Sequence, residues 1–244
     1  MKTLGIIGFG NMGRAIATGL TGSPYTYDVY DIQTHTAADF DHLCQHSEHL
    51  LLCVKPTALA TVLAQVPPGK PLISVVAGVS LSAYPSGPVC RVMPNTAVAT
   101  RSGVSAVCFN AASSVNFQET VHAIFSQMGV VIPIQDESCM HAVTALSGSG
   151  PAFIYRILQG FIHAGIQQGL SESLASTLVF KTLAGCLAAD GDGLAALETR
   201  ITQITSPNGT TEAGLAVLDA GITACIAQTI QASVARSRTI AKLY

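Results

Sequence analysis

Residues 4–20 read LGIIGFGNMGRAIATGL, and the order of this stretch decides the fold. A short apolar run, Leu4-Gly5-Ile6-Ile7, feeds directly into Gly8-Phe9-Gly10-Asn11-Met12-Gly13, and a helix-compatible run, Arg14 to Leu20, follows. In such a strand–turn–helix unit each glycine has its own task. Gly8 permits the tight turn, Gly10 lets the backbone approach a pyrophosphate, and Gly13 allows close packing of helix on strand. The diphosphate then rests on the N–H groups of the helix start, where the dipole is positive. The pattern predicts a dinucleotide site built from Gly8, Phe9, Gly10, Asn11, Met12 and Gly13.

Outward from this unit, further β-prone runs follow: Tyr27–Ile32, Leu50–Val54 stopped by Pro56, Leu72–Val76 stopped by Gly78, and Val89–Met93 stopped by Pro94, then Val104–Phe109 and Val130–Ile134. They are continuously apolar rather than alternating, which predicts strands buried on both faces. The fold class is therefore α/β, with an N-terminal, doubly wound, mostly parallel sheet of Rossmann type. Beyond Asp136 the texture becomes helical. Leu174, Leu178, Val179, Leu183, Cys186 and Leu187 recur at three- and four-residue steps, and Leu218, Ile222, Ile226, Ile230 and Val234 every fourth residue. These are apolar stripes on helices, the second predicted to run over 207–240. The expected domains are 1–136, binding NAD(P)H, and 137–244, all-helical.

Asp31 ends the second run. An acid there accepts hydrogen bonds from an adenosine ribose and repels a 2′-phosphate. No Lys or Arg occurs between Arg14 and Lys55, while Asp39 and Asp41 add negative charge, so the pattern leans to NADH over NADPH. The formal net charge is −2, with no basic excess for nucleic acid. No apolar stretch reaches the roughly 18 residues of a membrane span; the run 152–166 is broken by Arg156, Gln159 and His163. Charged residues make up 11% of the chain, against roughly 25% in ordinary soluble domains, so apolar surface is expected to be hidden between subunits. Met1-Lys2-Thr3 lacks signal-peptide character, and seven Cys without a C-x-x-C pair predict free thiols in a reducing cytoplasm. His35, His42, Cys44, His46, His49 and Cys53 lack zinc spacing, so no metal is expected.

Two later segments are more specific: Ala145-Leu146-Ser147-Gly148-Ser149-Gly150-Pro151-Ala152-Phe153 and Ile204-Thr205-Ser206-Pro207-Asn208-Gly209-Thr210-Thr211. With the glycine motif, Val54-Lys55-Pro56, Ala77-Gly78-Val79 and Met93-Pro94-Asn95-Thr96, they closely resemble the pyrroline-5-carboxylate reductase family, collinearly from Leu4 to about Leu218. The resemblance implies reduction of the cyclic imine 1-pyrroline-5-carboxylate to L-proline with NAD(P)H, the last step of proline synthesis. It also implies a helical domain that builds a dimer, often assembled further into decamers, with the active site between the Rossmann domain of one subunit and helical domains of the dimer. Carried over by motif, Val54, Lys55, Pro56, Ala77 and Gly78 border the nicotinamide, and Asn95 also belongs to the cofactor site. Ser206, Gly209, Thr210 and Thr211 hold the substrate, and Gln203 and Glu137 line its pocket. Two departures stand out. Asn208 replaces the first Gly of Ser-Pro-Gly-Gly-Thr-Thr, and Asn tolerates positive φ. The region between the second and third strands lacks the adenosine-side Asn of relatives, with Phe40 and Asp41 near that place.

The implied reaction adds hydride to a C=N bond and needs one proton, from solvent or a polar side chain. Ser206-Pro207 reads as N-cap and first residue of the last helix. The N–H groups of Gly209 to Thr211 would then face a carboxylate without any Arg, as the lack of Lys and Arg in 201–235 requires. The hydroxyl of Thr210 or Thr211 can hydrogen-bond the ring nitrogen; Thr211 is the expected catalytic, orienting group, with an ordered water as the other proton route. Ser147–Pro151 reads as pocket wall. Lys55 is either a general acid or a backbone contact, and Glu137 either a pocket residue or a helix-start acid. Three rivals remain open: a related cyclic-imine reductase, a β-hydroxyacid dehydrogenase-like enzyme, and a dinucleotide-sensing module without turnover. The second would need a Lys where Ile154 and Tyr155 stand.

Overall fold

The apolar runs form seven strands: β1 (Thr3–Ile7), β2 (Thr26–Tyr30), β3 (His49–Leu52), β4 (Leu72–Ser74), β5 (Val89–Pro94), β6 (Gly103–Phe109) and β7 (Gly129–Pro133). Between and after them run helices α1 (Asn11–Leu20), α2 (Ala37–His46), α3 (Pro56–Leu63), α4 (Val115–Ser126), α5 (Met140–Val143), α6 (Gly150–Gln167), α7 (Glu172–Ala188), α8 (Leu194–Ile204), α9 (Thr210–Asp219) and α10 (Ile222–Ala241). This is a computed structural model, and it describes residues 3–33, 37–188 and 193–242. Two compact units result: Met1–Pro151 with Ala232–Tyr244, and Ala152–Gln231.

The sheet has the order β2-β1-β3-β4-β5-β6-β7, parallel except where β6 runs against β5. The inner strands β3, β4 and β5 are buried on both sides because both faces are covered, whereas the edge strands β2 and β7 depart from that expectation and keep one side open, with Val130 and Ile132 exposed. Leu51, Ile73, Cys90 and Val92 pack with Ile16 and Leu20 of α1 and with Phe117, Val121 and Phe125 of α4. Their chain neighbours Leu50, Leu52, Leu72 and Val89 pack with Phe40 and Leu43 of α2 and Leu59 of α3. Connections diverge from β1 toward β2 on one side and β3 on the other. That reversal opens a crevice at the carboxyl ends of β1 and β3, where ligands of such sheets bind. Residues 137–151 also belong to the sheet unit, with Met140 buried against Met93, Ala106 and Cys108. Between α5 and α6 the chain widens into one π-helical turn, Thr144–Gly148.

The second unit is helical, and the expected stripe on α7 exists, but Leu174, Leu178 and Leu187 lie exposed. The single helix expected over 207–240 is instead two, α9 and α10, bent by 42° at Ala220-Gly221. Gly is a poor helix former, and here its N–H closes the end of α9 onto the Leu218 carbonyl (3.2 Å). No single helix among the described residues is long and apolar enough to cross a membrane.

Candidate active site

The glycine turn has the stereochemistry its sequence demands. Gly8 adopts φ 94°, donates its N–H to the Tyr30 carbonyl at 2.7 Å, and leaves no room for a side chain: a Cβ would sit 2.9 Å from the Cys53 carbonyl. A Cβ on Gly13 would collide with the Gly8 carbonyl oxygen, so α1 lies directly against the turn. Gly10 faces open space and is the N-cap of α1 with no side-chain cap, and no acid occupies the first turn. The N–H groups of Asn11, Met12 and Gly13 therefore open the helix without an internal acceptor. A close backbone approach, uncapped donors and a positive helix end together fit a pyrophosphate.

Asp31 stands beside this cradle. Its Oδ2 accepts from Phe9 N (2.8 Å) and its Oδ1 from Gln33 N (3.0 Å), so the carboxylate is fixed at the end of β2. Arg14 curls over the turn, donating to the Phe9 carbonyl (2.7 Å) and to Asn11 Oδ1 (3.0 Å). Phe40 is core rather than an adenosine contact: it is 1% exposed and meets Tyr30 edge-on at 5.0 Å. His35 lies outside the described residues. Among the described ones no three His, Cys, Asp or Glu converge as metal ligands. Beside the glycines, burial pushes the Cys53 thiol far above its ordinary range, so it stays protonated and unreactive.

Among the residues expected to border the nicotinamide, Lys55 is the N-cap of α3 and Pro56 its first residue. The Lys55 carbonyl accepts from Ala58 N at 2.9 Å, while the side chain points into solvent. Gly78 adopts φ 80°, and a Cβ there would meet Ile240 Cγ2 at 2.7 Å. Asn95 extends from β5, its Oδ1 accepting from Val104 N (3.3 Å). Gly148 of the π-helical turn abuts Met93, where a Cβ would sit 3.2 Å from the sulfur.

In the helical unit, Ser206 does not cap a helix. Helix α9 begins at Thr210 with Gly209 as N-cap. Asn208 takes the left-handed conformation (φ 59°), which interrupts any helix at that residue and closes Ser206–Gly209 as a turn, Gly209 N to Ser206 O 3.0 Å. Asn thus does the work of the family's Gly. A Cβ on Gly209 would strike Ser206 Oγ, so the hydroxyl packs directly under the helix start. Because the Gly209 N–H is taken by the turn, the donors that open α9 begin at Thr210 and Thr211. Glu212 reaches back to Asn208 N at 2.8 Å. Gln203 lies exposed at the end of α8, on a groove with Ala195, Glu198, Thr199 and Thr202.

Glu137 opens the short 3-10 turn Glu137–Cys139, as a helix-start acid, and its Oε1 is engaged inward, with Arg91 Nη1 (3.0 Å) and Leu81 N (2.8 Å). Arg91, on central strand β5, is 2% exposed. Nearby, Ser74 Oγ and Tyr84 OH lie 2.5 Å apart. Burial raises the Tyr84 phenol to about 12, against the opposing pull of its Ser74 bond, so it stays neutral. This buried polar cluster was not anticipated. The signal was present, because a lone Arg inside Val89-Cys90-Arg91-Val92-Met93 demands a partner.

A family model described as pyrroline-5-carboxylate reductase dimerisation matches residues 137–240. A pyrroline-5-carboxylate reductase of Synechocystis is 34% identical over 98% of both chains. Among solved structures, the chain resembles a pyrroline carboxylate reductase of Plasmodium falciparum with NADP bound (26% identity, 98% of each chain, TM-score 0.89). It also resembles a 1-pyrroline-5-carboxylate reductase of Streptococcus pyogenes (27% identity, 97% of this chain and 98% of that one, TM-score 0.86).

Proposed function

The chain belongs to the pyrroline-5-carboxylate reductase family, and from that premise we propose how its residues divide the work. It is an NAD(P)H-dependent oxidoreductase that reduces the C=N bond of 1-pyrroline-5-carboxylate to give L-proline, and it associates with itself through its helical region. When bound, the reduced dinucleotide supplies the hydride. Residues Gly8 to Gly13 receive its diphosphate on the first turn of α1, with Asp31 toward the ribose and Val54, Lys55, Pro56, Ala77, Gly78 and Asn95 toward the nicotinamide. Within the proposed substrate domain, 137–244, the N–H groups of Thr210 and Thr211 receive the substrate carboxylate at the positive end of α9. Ser206 and Gly209 shape that turn and Gln203 borders it. The Thr211 hydroxyl hydrogen-bonds the ring nitrogen and orients it, the proton arriving there from the side chain or from water.

The finer readings are NADH over NADPH, from Asp31 and the lack of cations in 15–54; a dimer that assembles further, up to a decamer; and a cytoplasmic site. One observation carries the function: a glycine cradle in which Gly8 and Gly13 leave no room for a Cβ and a Ser206–Thr211 turn of the family's pattern occur in a single chain. The test is oxidation of NADH or NADPH, followed by absorbance, with 1-pyrroline-5-carboxylate, its six-membered homologue and a 3-hydroxyacid. Turnover on the first is expected, and no turnover on it overturns the reading. A higher kcat/KM with NADPH than with NADH overturns the cofactor preference alone.

A further inference from the structure

The turn that follows β4, residues 75–81, is tethered at both ends to buried side chains. At its start Val76 N donates to Ser74 Oγ (3.2 Å), and that hydroxyl is held by Tyr84 OH. At its end Leu81 N donates to Glu137 Oε1, and the same oxygen takes the Arg91 guanidinium. Between the tethers lie Ala77 and Gly78, and Gly78 is pressed on its far side by Ile240. The other buried donors of Arg91, Nε and Nη2, meet no acceptor among the described residues, so Glu137 is what fixes the guanidinium. Charge-assisted bonds of this kind are roughly twice as strong as neutral ones, and a buried Arg strongly resists losing its carboxylate.

The geometry points to Glu137, anchored by Arg91, as a positioning residue for hydride transfer: it fixes the Ala77-Gly78 turn against the nicotinamide and does not bind the substrate. This rests on the reading that Ala77 and Gly78 border the nicotinamide. The Glu carboxylate contributes no proton and no charge to the reacting ring; it acts through the Leu81 N–H. A shift of about an ångström in such a wall is enough to lower a transfer rate up to about a hundredfold.

The test uses the full chain with NADH and 1-pyrroline-5-carboxylate, comparing Glu137→Ala with Glu137→Gln. The amide oxygen of Gln still accepts from Leu81 N. The expected result is a fall in kcat of at least about tenfold for Glu137→Ala, recovered to within about threefold by Glu137→Gln. The KM for 1-pyrroline-5-carboxylate and the Kd for ADP-ribose, which lacks the nicotinamide, stay within about twofold of the unaltered chain. The deuterium isotope effect with 4-deuterated NADH rises in Glu137→Ala. Tyr84→Phe removes the hydroxyl that holds the Ser74 tether at nearly constant volume, so it serves where Glu137→Ala does not fold, and is expected to show a smaller fall with the same pattern. Three results overturn the proposal: unchanged kcat in Glu137→Ala, a change confined to the substrate KM, or loss of ADP-ribose binding in step with kcat. If the unaltered chain itself shows no turnover, the functional reading fails and this proposal falls with it; normal turnover with indifferent variants sinks the proposal alone.

Discussion

In the sheet unit Leu50, Leu51 and Leu52 are all buried, whereas in the helical unit Leu187, Leu194 and Val217 stand 76%, 87% and 78% exposed. The first unit closes its core on both faces with its own helices. Among the described residues of 152–231, Leu158 and Ala175 are the apolar side chains that reach burial. Helical stripes with so little cover do not make a stable unit in water, since each fully buried Leu or Phe contributes roughly 1.5–3 kcal/mol. The match of 137–240 to a dimerisation family fits the difference, since a region that associates with itself need not close its own core. The low charge content of the whole chain is the sequence-level trace of that arrangement.

The largest effect is expected where the comparison is most exposed to failure. Phe161→Glu together with Leu178→Glu places two carboxylates on half-open apolar faces of α6 and α7. Self-association should weaken by at least about a thousandfold, with turnover lost at micromolar protein. Light scattering checks this, and an unaltered assembly would show those faces to be free surface. The sheet unit is attacked next through Gly13→Ala. Its methyl meets backbone oxygen, which cannot swing aside as a side chain would. A loss of about 1–3 kcal/mol of stability is expected, with cofactor affinity down at least about tenfold by fluorescence titration.

Thr211→Ala sharpens the division of labour between the units. It should lower kcat by about ten- to a hundredfold while the Kd for NADH stays put, and an unchanged rate clears Thr211. The smallest effect concerns pH. The His141 pKa lies below its ordinary 6.5, chiefly through burial and secondarily through Arg91 and Arg238. The folded state therefore resists the proton that the unfolded chain accepts, so this contribution to stability is complete above about pH 6.5 and is lost as pH falls through the folded value. Melting curves of His141→Gln should be flatter than those of the parent across that acid window.

Features set by backbone stereochemistry were legible in the sequence. Gly8, Gly13 and Asn208 occupy the conformations or close contacts that their residue types announce. The inner apolar runs became strands because a doubly covered sheet leaves them no other pattern, while the edge strands β2 and β7 keep one side open. The helix break at Gly221 was hidden, because the four-residue apolar period continues straight across it from Leu218 through Ile222 to Ile226. Ser206 was misread as a cap since Ser-Pro favours both a helix start and a turn; the left-handed Asn208 decides for the turn. The Arg91–Glu137 pair joins residues 46 apart, and only the oddity of a charge in a central strand pointed to it. The α7 stripe was visible, but nothing in its spacing says what covers it.

The central claim is that the opening turn of α9 holds the substrate's acid group. A crystal structure with L-proline and the oxidised dinucleotide bound tests it most directly. The account predicts the proline carboxylate within hydrogen-bond distance of Thr210 N and Thr211 N, with the ring nitrogen on Thr211 Oγ1. Proline bound away from those two amides, or its carboxylate on a Lys or Arg side chain instead, would contradict it.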